Sequence, residues 1–310
     1  MFIPLWALIA IAGHLANGAA FIIDKTLLTT SFKRAATYAG TVGLLSIIVL
    51  VLLPFGVHLP LNSSWFWIIL AGVTFVTALW AFFSALSMGE ASRIVPIIGS
   101  LIPVLTLVGT SWLLMERLTQ HQLIGFGILI IATIILAGGS ASHRLSSKAI
   151  SMALLAAFLF AAASVTIKLC YDREGFINGF FFSRLIGIAT AITILLIDHK
   201  ALLEARQAFF PKRSSLSSNK PKKRSWASLL ILIGQGLGSL GFILVQYAIN
   251  LGSAAIVNAL QAVQYAFLVL VAFVFAKRAP KLLGEDLTRR SIIQKSFGII
   301  LAGIGLWFIV

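Results

Sequence analysis

Ala85-Leu-Ser-Met-Gly89-Glu-Ala91 returns later in the chain as Ala248-Ile-Asn-Leu-Gly252-Ser-Ala254, and each copy joins one long apolar run to the next. The sequence around the two copies also lines up. Lys25 closes the first apolar run as Lys168 closes the sixth, and Lys33-Arg34 stand where Ser183-Arg184 stand in the second half. Leu118-Thr119 opens the fifth run as Leu287-Thr288 opens the tenth. The chain therefore reads as two related units, 1–141 and 149–310, the second interrupted by a basic loop over 198–226. Two related units of five spans each must be inverted relative to one another, because five is odd, and inverted repeats are the architecture of alternating access.

The apolar runs are membrane spans. Of 310 residues, 59% are hydrophobic and only 11% are charged, against about 25% charged in an ordinary soluble domain. Mean hydropathy is +1.02. About 20 apolar residues cross the hydrocarbon layer as a helix, and spans are expected near 2–23, 36–55, 65–87, 94–115, 122–141, 149–169, 177–197, 227–249, 254–276 and 294–310. The runs are apolar all round, without the polar stripe of a soluble amphipathic helix. The fold class is an all-α polytopic membrane protein of ten helices. The first run begins at Met1 with no basic region ahead of it and is long enough to span, so it is read as a helix that stays rather than a removable leader.

A net charge of +15 suits nucleic acid when it forms a patch, but here the basic residues gather between apolar runs. Odd-numbered connections hold 20 Lys and Arg and even-numbered ones hold three. By the positive-inside rule the odd connections face the cytoplasm and both termini face outside. Partners are then membrane lipids and a small-molecule substrate, with no nucleic acid, and a homodimer is left open. The location that fits is the plasma membrane. Lys212, Arg213, Lys220, Lys222, Lys223 and Arg224 form a solvated loop able to meet anionic headgroups.

The stretch Ala85 to Pro96, then Leu114-Met-Glu116-Arg117-Leu118, then Gly125 and Gly127, resembles the first repeat of EamA-type proteins in the drug/metabolite transporter superfamily. Gly252-Ser-Ala-Ala-Ile-Val-Asn258-Ala-Leu-Gln261, ending in Gly298-Ile-Ile-Leu-Ala-Gly303, resembles the second. The resemblance implies transport of small metabolites and leaves the substrate open. Relatives are usually described with cytoplasmic termini, opposite to the charge count. Small multidrug members carry a glutamate in the middle of the first span; here that neighbourhood holds His14, so carboxylate coupling does not carry over.

Gly236-Leu-Gly238-Ser-Leu-Gly241 spells a dinucleotide fingerprint, yet it lies inside an apolar run rather than between a strand and a helix. Gly234 and Gly238, one turn apart, read instead as a seam where another helix approaches. Amides are awkward in hydrocarbon and should face the bundle interior. Gln235 and Gln246 share a face of span eight, and Asn258, Gln261, Gln264 and Tyr265 share an arc of span nine. Pro96 and Pro103 each remove a helical hydrogen bond, and with Gly99 and Ser100 they mark span four as either a point of flexing beside the substrate or a plain structural kink. His14 is the one histidine inside a span, and Arg184 the one arginine. An always-charged fork inside the bundle suits a carboxylate or phosphate. The expected substrate site is thus Arg184, Gln235, Gln246, Asn258, Gln261, Tyr265 and His14. No catalytic set, metal-ligand spacing or cofactor motif is found, and no ATP-binding loop. The expectation is a secondary-active transporter of a small polar metabolite carrying an anionic group, not an enzyme. The rival reading is a membrane-embedded enzyme or translocator acting on lipid-linked substrates.

Overall fold

The computed structural model describes residues 3–27, 34–89, 91–137, 145–209, 221–275 and 289–309. The basic run 212–220 lies outside them, as do Lys33, Glu90, Arg144 and the Leu287-Thr288 half of one repeat match. Every regular element among the described residues is helical. In chain order they are α1 (Leu5–Leu27), α2 (Ala35–Leu45) continued by a 3-10 helix (Ser46–Phe55), and a short 3-10 turn (Asn62–Ser64) leading into α3 (Trp65–Met88). Then follow α4 (Ala91–Leu113), α5 (Gln120–Ala137), α6 (Ser147–Ile197), α7 (His199–Phe209), α8 (Pro221–Leu251), α9 (Ala254–Ala259), α10 (Gln261–Phe275) and α11 (Arg289–Ile309). Seven stretches among the described residues are long and apolar enough to cross a bilayer, and Gln120–Leu136 is a shorter apolar helix.

The outside of the bundle is dressed for lipid. Ile48, Val51, Phe66, Val108, Phe158, Leu196 and Ile300 are exposed, an arrangement water would penalise and acyl chains do not. Trp112 and Trp307, 77% and 68% exposed, have the amphipathic ring that favours the interface. Inside, alanines dominate: Ala78, Ala81, Ala85, Ala149, Ala153, Ala156 and Ala157 are fully buried. Small residues let helix backbones approach, which matters where lipid removes the hydrophobic drive between helices.

Spans six and seven differ from expectation. Helix continues through the expected connection, and only Gly175, at φ 75° and ψ 168°, leaves helical geometry. Side chains rarely adopt that conformation, and glycine does so without steric cost. The break reverses the chain. In a straight helix Gly179 and Cys170 would lie about 13 Å apart, yet a Cβ at Gly179 would come 3.2 Å from the Cys170 carbonyl and 2.9 Å from the Tyr171 ring. α6 is therefore a hairpin of two limbs, 147–174 and 176–197.

Spans four and nine differ in continuity. α4 runs unbroken through Pro96 and Pro103, with Ser100 Oγ donating to the Pro96 carbonyl at 2.6 Å. The interruption falls instead at Leu260, between α9 and α10, with no proline or glycine there. Both copies of the repeated motif fall where one helix gives way to the next, α3 to α4 and α8 to α9. In the second, Ser253 Oγ caps α9 by accepting from the Ile256 amide at 3.3 Å.

The glycine seam on α8 is real but shifted. Gly238 is in ordinary contact with Ala20, and nothing lies within 4 Å of a Cβ at Gly236. Gly241 makes the close approach: its added Cβ would sit 2.7 Å from the Gly13 carbonyl, and one at Gly13 would sit 2.9 Å from the Gly241 carbonyl. This backbone contact between α1 and α8 sets the position of His14, one residue further along.

Candidate functional site

A cavity of about 350 Å³ opens between α1, α3, α4, α6, α8 and the broken helix α9–α10. Its size is at the small end of metabolite pockets, about 300–1,000 Å³. His14, Arg184, Gln246, Asn258, Gln261 and Tyr265 all line it. Gln235 does not: it is exposed. The two glutamines share a helix face, but eleven residues separate them by about 16 Å of helix rise, and that depth carries Gln235 past the cavity.

The broken helix and His14 are one arrangement. His14 Nε2 lies 2.9 Å from the Val257 carbonyl, and that oxygen only accepts, so Nε2 carries the proton. In an unbroken helix the Val257 carbonyl would accept from the Gln261 amide, the first residue of α10. A side chain inserted into the helical ladder is a recognised cause of a kink, and here it accounts for a break no proline explains. His14 is 5% exposed. Its Nδ1 has no partner at hydrogen-bond geometry, although the Gln264 amide is a polar neighbour.

The amides are partly tied to the scaffold. Asn258 Nδ2 donates to Thr106 Oγ1 and to Ser164 Oγ, both at 3.1 Å, joining α9 to α4 and α6. Tyr171 donates its hydroxyl proton to Gln246 Oε1 at 2.9 Å, leaving the Gln246 amino group. Gln261 Nε2 donates to the Tyr265 hydroxyl at 3.1 Å, leaving that hydroxyl a proton of its own. The Tyr265 hydroxyl fits because Gly99 lacks a side chain: a Cβ there would come within 2.9 Å of it.

Arg184 does not reach for the membrane surface. It is 6% exposed, and its Cζ lies 4.2 Å from the centroid of Phe75, 5.1 Å from Phe242 and 5.5 Å from Phe180. Phe180 sits one turn earlier on the same limb and turns its ring to the guanidinium. An arginine at a span centre costs about 2.5–3.5 kcal/mol on insertion scales, and each ring contact returns about 0.5–2 kcal/mol. Three rings are thus of the right size to hold the cation without an acid. Arg34 pairs with Asp198 at 3.4 Å and Lys168 with Asp172 at 3.0 Å, and Arg184 takes part in neither pair. Arg184 Nε is buried with no hydrogen-bond partner.

Asn17, Phe75, Ser164 and Phe242 also line the cavity and were not expected from sequence. Asn17 follows His14 by three residues, a spacing that shares a helix face and was legible. The phenylalanines were not, among 23 of them. No group of three or more His, Cys, Asp or Glu able to hold a metal occurs among the described residues.

The profile of the EamA-like transporter family matches residues 4–138. Over that stretch the chain is similar to the EamA-like transporter family. The match covers α1 to α5, which supply His14, Asn17, Phe75 and Gly99 to the cavity. No curated protein matches the chain. Among solved structures 29 chains match. One, a crystal structure, superposes with a TM-score of 0.61 at 17% sequence identity, over 96% of this chain and 98% of its own. At that identity the likeness is one of fold, extending over the part the EamA-like profile leaves uncovered. The chain is an integral, multi-pass membrane protein whose residues 4–138 are similar to the EamA-like transporter family.

Proposed function

We propose that the protein is a secondary-active transporter that moves a small polar metabolite across the cell membrane by alternating access. Its ten spans form two inverted five-helix units, 1–141 and 149–310. The observation that carries this reading is the cavity: elements of both units line it, and two of its buried side chains, His14 and Arg184, present unpartnered polar atoms.

The packing supports the inverted arrangement. α1 lies along α8, and α3 packs on both limbs of α6, through Ala81 and Ala85 on the first and through Gly72 on the second. If span one is equivalent to span six and span three to span eight, the α1–α8 contact and the contact of α3 with the first limb of α6 are the same contact seen twice. A cavity where two such units meet can face either side as one unit rocks against the other. The break at Leu260 supplies a point where span nine can flex beside the substrate. An enzyme acting on lipid-linked substrates would need paired acids or metal ligands at the cavity, and its lining among the described residues contains neither Asp nor Glu.

The test is counterflow in liposomes bearing the purified full chain, screened across amino acids, organic acids, sugars and amines. Accumulation of one labelled class, driven by the same unlabelled class inside, is expected. Product formation from a lipid-linked substrate with no solute exchange would reject the reading.

A further inference from the structure

We infer that the cavity is a monoanion site, built for a small organic acid with an apolar body and a neutral hydrogen-bonding group, and built against amines and zwitterions. The inference rests on the transport reading only for the direction in which the ligand travels, and it stands on four observations. Arg184 is the one formally charged residue among the cavity's described lining, which includes no Asp, Glu or Lys. Its guanidinium is flanked by Phe75, Phe180 and Phe242. Its Nε, buried in the bundle, has no hydrogen-bond partner. The other orphan on the cavity wall is His14 Nδ1.

Charge decides the ligand class. A fixed cation in a low-dielectric cavity is neutralised by one negative charge and by no other count. A zwitterionic amino acid leaves the cavity net positive, an amine doubles the charge, and a dianion overshoots. The aromatic neighbours sharpen this. They stabilise the cation through their π faces, while its N–H donors lie in the guanidinium plane, where a carboxylate accepts two parallel hydrogen bonds. The rings hold the arginine in place and leave its fork for the ligand.

Shape and the second orphan supply the rest. Phe75, Phe82 and Phe160 are among the cavity walls and suit an apolar or aromatic body. With Nε2 donating to Val257, the neutral ring of His14 offers Nδ1 as an acceptor, which matches a hydroxyl rather than a second carboxylate. A hydroxy acid satisfies both orphans at once.

The experiment uses the full chain, purified in detergent, and reads thermal stabilisation by paired probes: lactate against alanine, 3-phenyllactate against phenylalanine, with malate, phenethylamine, hexadecanoate and phosphatidylglycerol alongside. The hydroxy monoacids are expected to stabilise the wild type, and their amino counterparts and the amine to leave it unchanged. Arg184→Lys keeps the charge but not the fork and should weaken binding by about tenfold or more, and Arg184→Gln should abolish it. Equal stabilisation by an amino acid or amine overturns the proposal, as does the absence of stabilisation by any monoanion. Stronger competition by hexadecanoate or phosphatidylglycerol assigns the anion site to lipid and also overturns it. These comparisons are made on the wild type, so they hold even if the variants do not fold. Counterflow separates the two readings. Exchange of a neutral or cationic solute with no monoanion binding leaves transport standing and removes the anion site. Binding of a monoanion that is never exchanged does the reverse.

Discussion

His14 on α1 holds the carbonyl of Val257 on α9 at 2.9 Å, across 243 residues of sequence, and thereby fastens the first helix to the interrupted helix α9–α10. This contact ties the cavity wall to a backbone break.

Removing that fastening should be costly. His14→Leu leaves the Val257 carbonyl buried without its donor, a loss of about 1–3 kcal/mol. A lower melting temperature in detergent is expected, together with impaired solute exchange. An unchanged melting temperature would mean that the Gln261 amide recovers the carbonyl and that the break is not held by His14.

Depth along α8 separates two chemically identical residues. Gln246→Leu removes the acceptor of the Tyr171 hydroxyl and a cavity wall, so exchange should fall sharply. Gln235→Leu acts on an exposed residue and should stay within about 0.5 kcal/mol of wild type in stability, with normal exchange. Side-by-side flux measurements on the two variants check the assignment, and equal impairment would refute it.

The α1–α8 seam gives a test that needs no substrate. Gly241→Val drives a side chain into the Gly13 carbonyl and Asn17, so the protein should fail to accumulate in membranes. Gly236→Ala, five residues away with open space around it, should be neutral or stabilising by up to about 1 kcal/mol. Membrane abundance on immunoblots distinguishes the two. Abundant Gly241→Val protein would show that the helices can part without penalty.

The start of α7 is capped by a carboxylate. Asp198 accepts from the amides of Ala201 at 3.0 Å and Lys200 at 3.1 Å and pairs with Arg34. The Ala201 amide first, then Arg34, hold its pKa below the ordinary carboxylate value. A depressed folded-state pKa means the anchor is present above the ordinary value and is lost as pH falls through the depressed one. Asp198→Ala should therefore speed proteolysis within 199–209 at neutral pH, and the difference from wild type should vanish in strong acid. Equal cleavage rates at neutral pH would show that the cap does not hold the helix.

Orientation rests on the charge count of 20 against three. Single cysteines at Ser218 and Asn62, in a Cys170→Ala background, should react differently in intact cells. Asn62 is expected to take up an impermeant thiol reagent and Ser218 to be protected. The opposite pattern would place both termini in the cytoplasm.

What the sequence determined alone follows from composition and periodicity. Apolar runs of span length with few charges leave no aqueous fold open, and amides on one arc of a helix have to turn inward, which is how Gln246, Asn258, Gln261 and Tyr265 were found. The same logic picked out Arg184 and His14, because a lone polar group in hydrocarbon requires a reason. Helical periodicity gives an angle and says nothing of depth relative to a neighbouring helix, so Gln235 looked equivalent to Gln246 until the helices were packed. Only the tertiary structure decided which three of many phenylalanines surround Arg184, which glycine on α8 meets α1, and that span nine breaks at Leu260 while proline-bearing span four does not. Each of these depends on a group from a distant part of the chain: a ring, a facing backbone carbonyl, or an imidazole that takes a hydrogen bond the helix would otherwise make for itself.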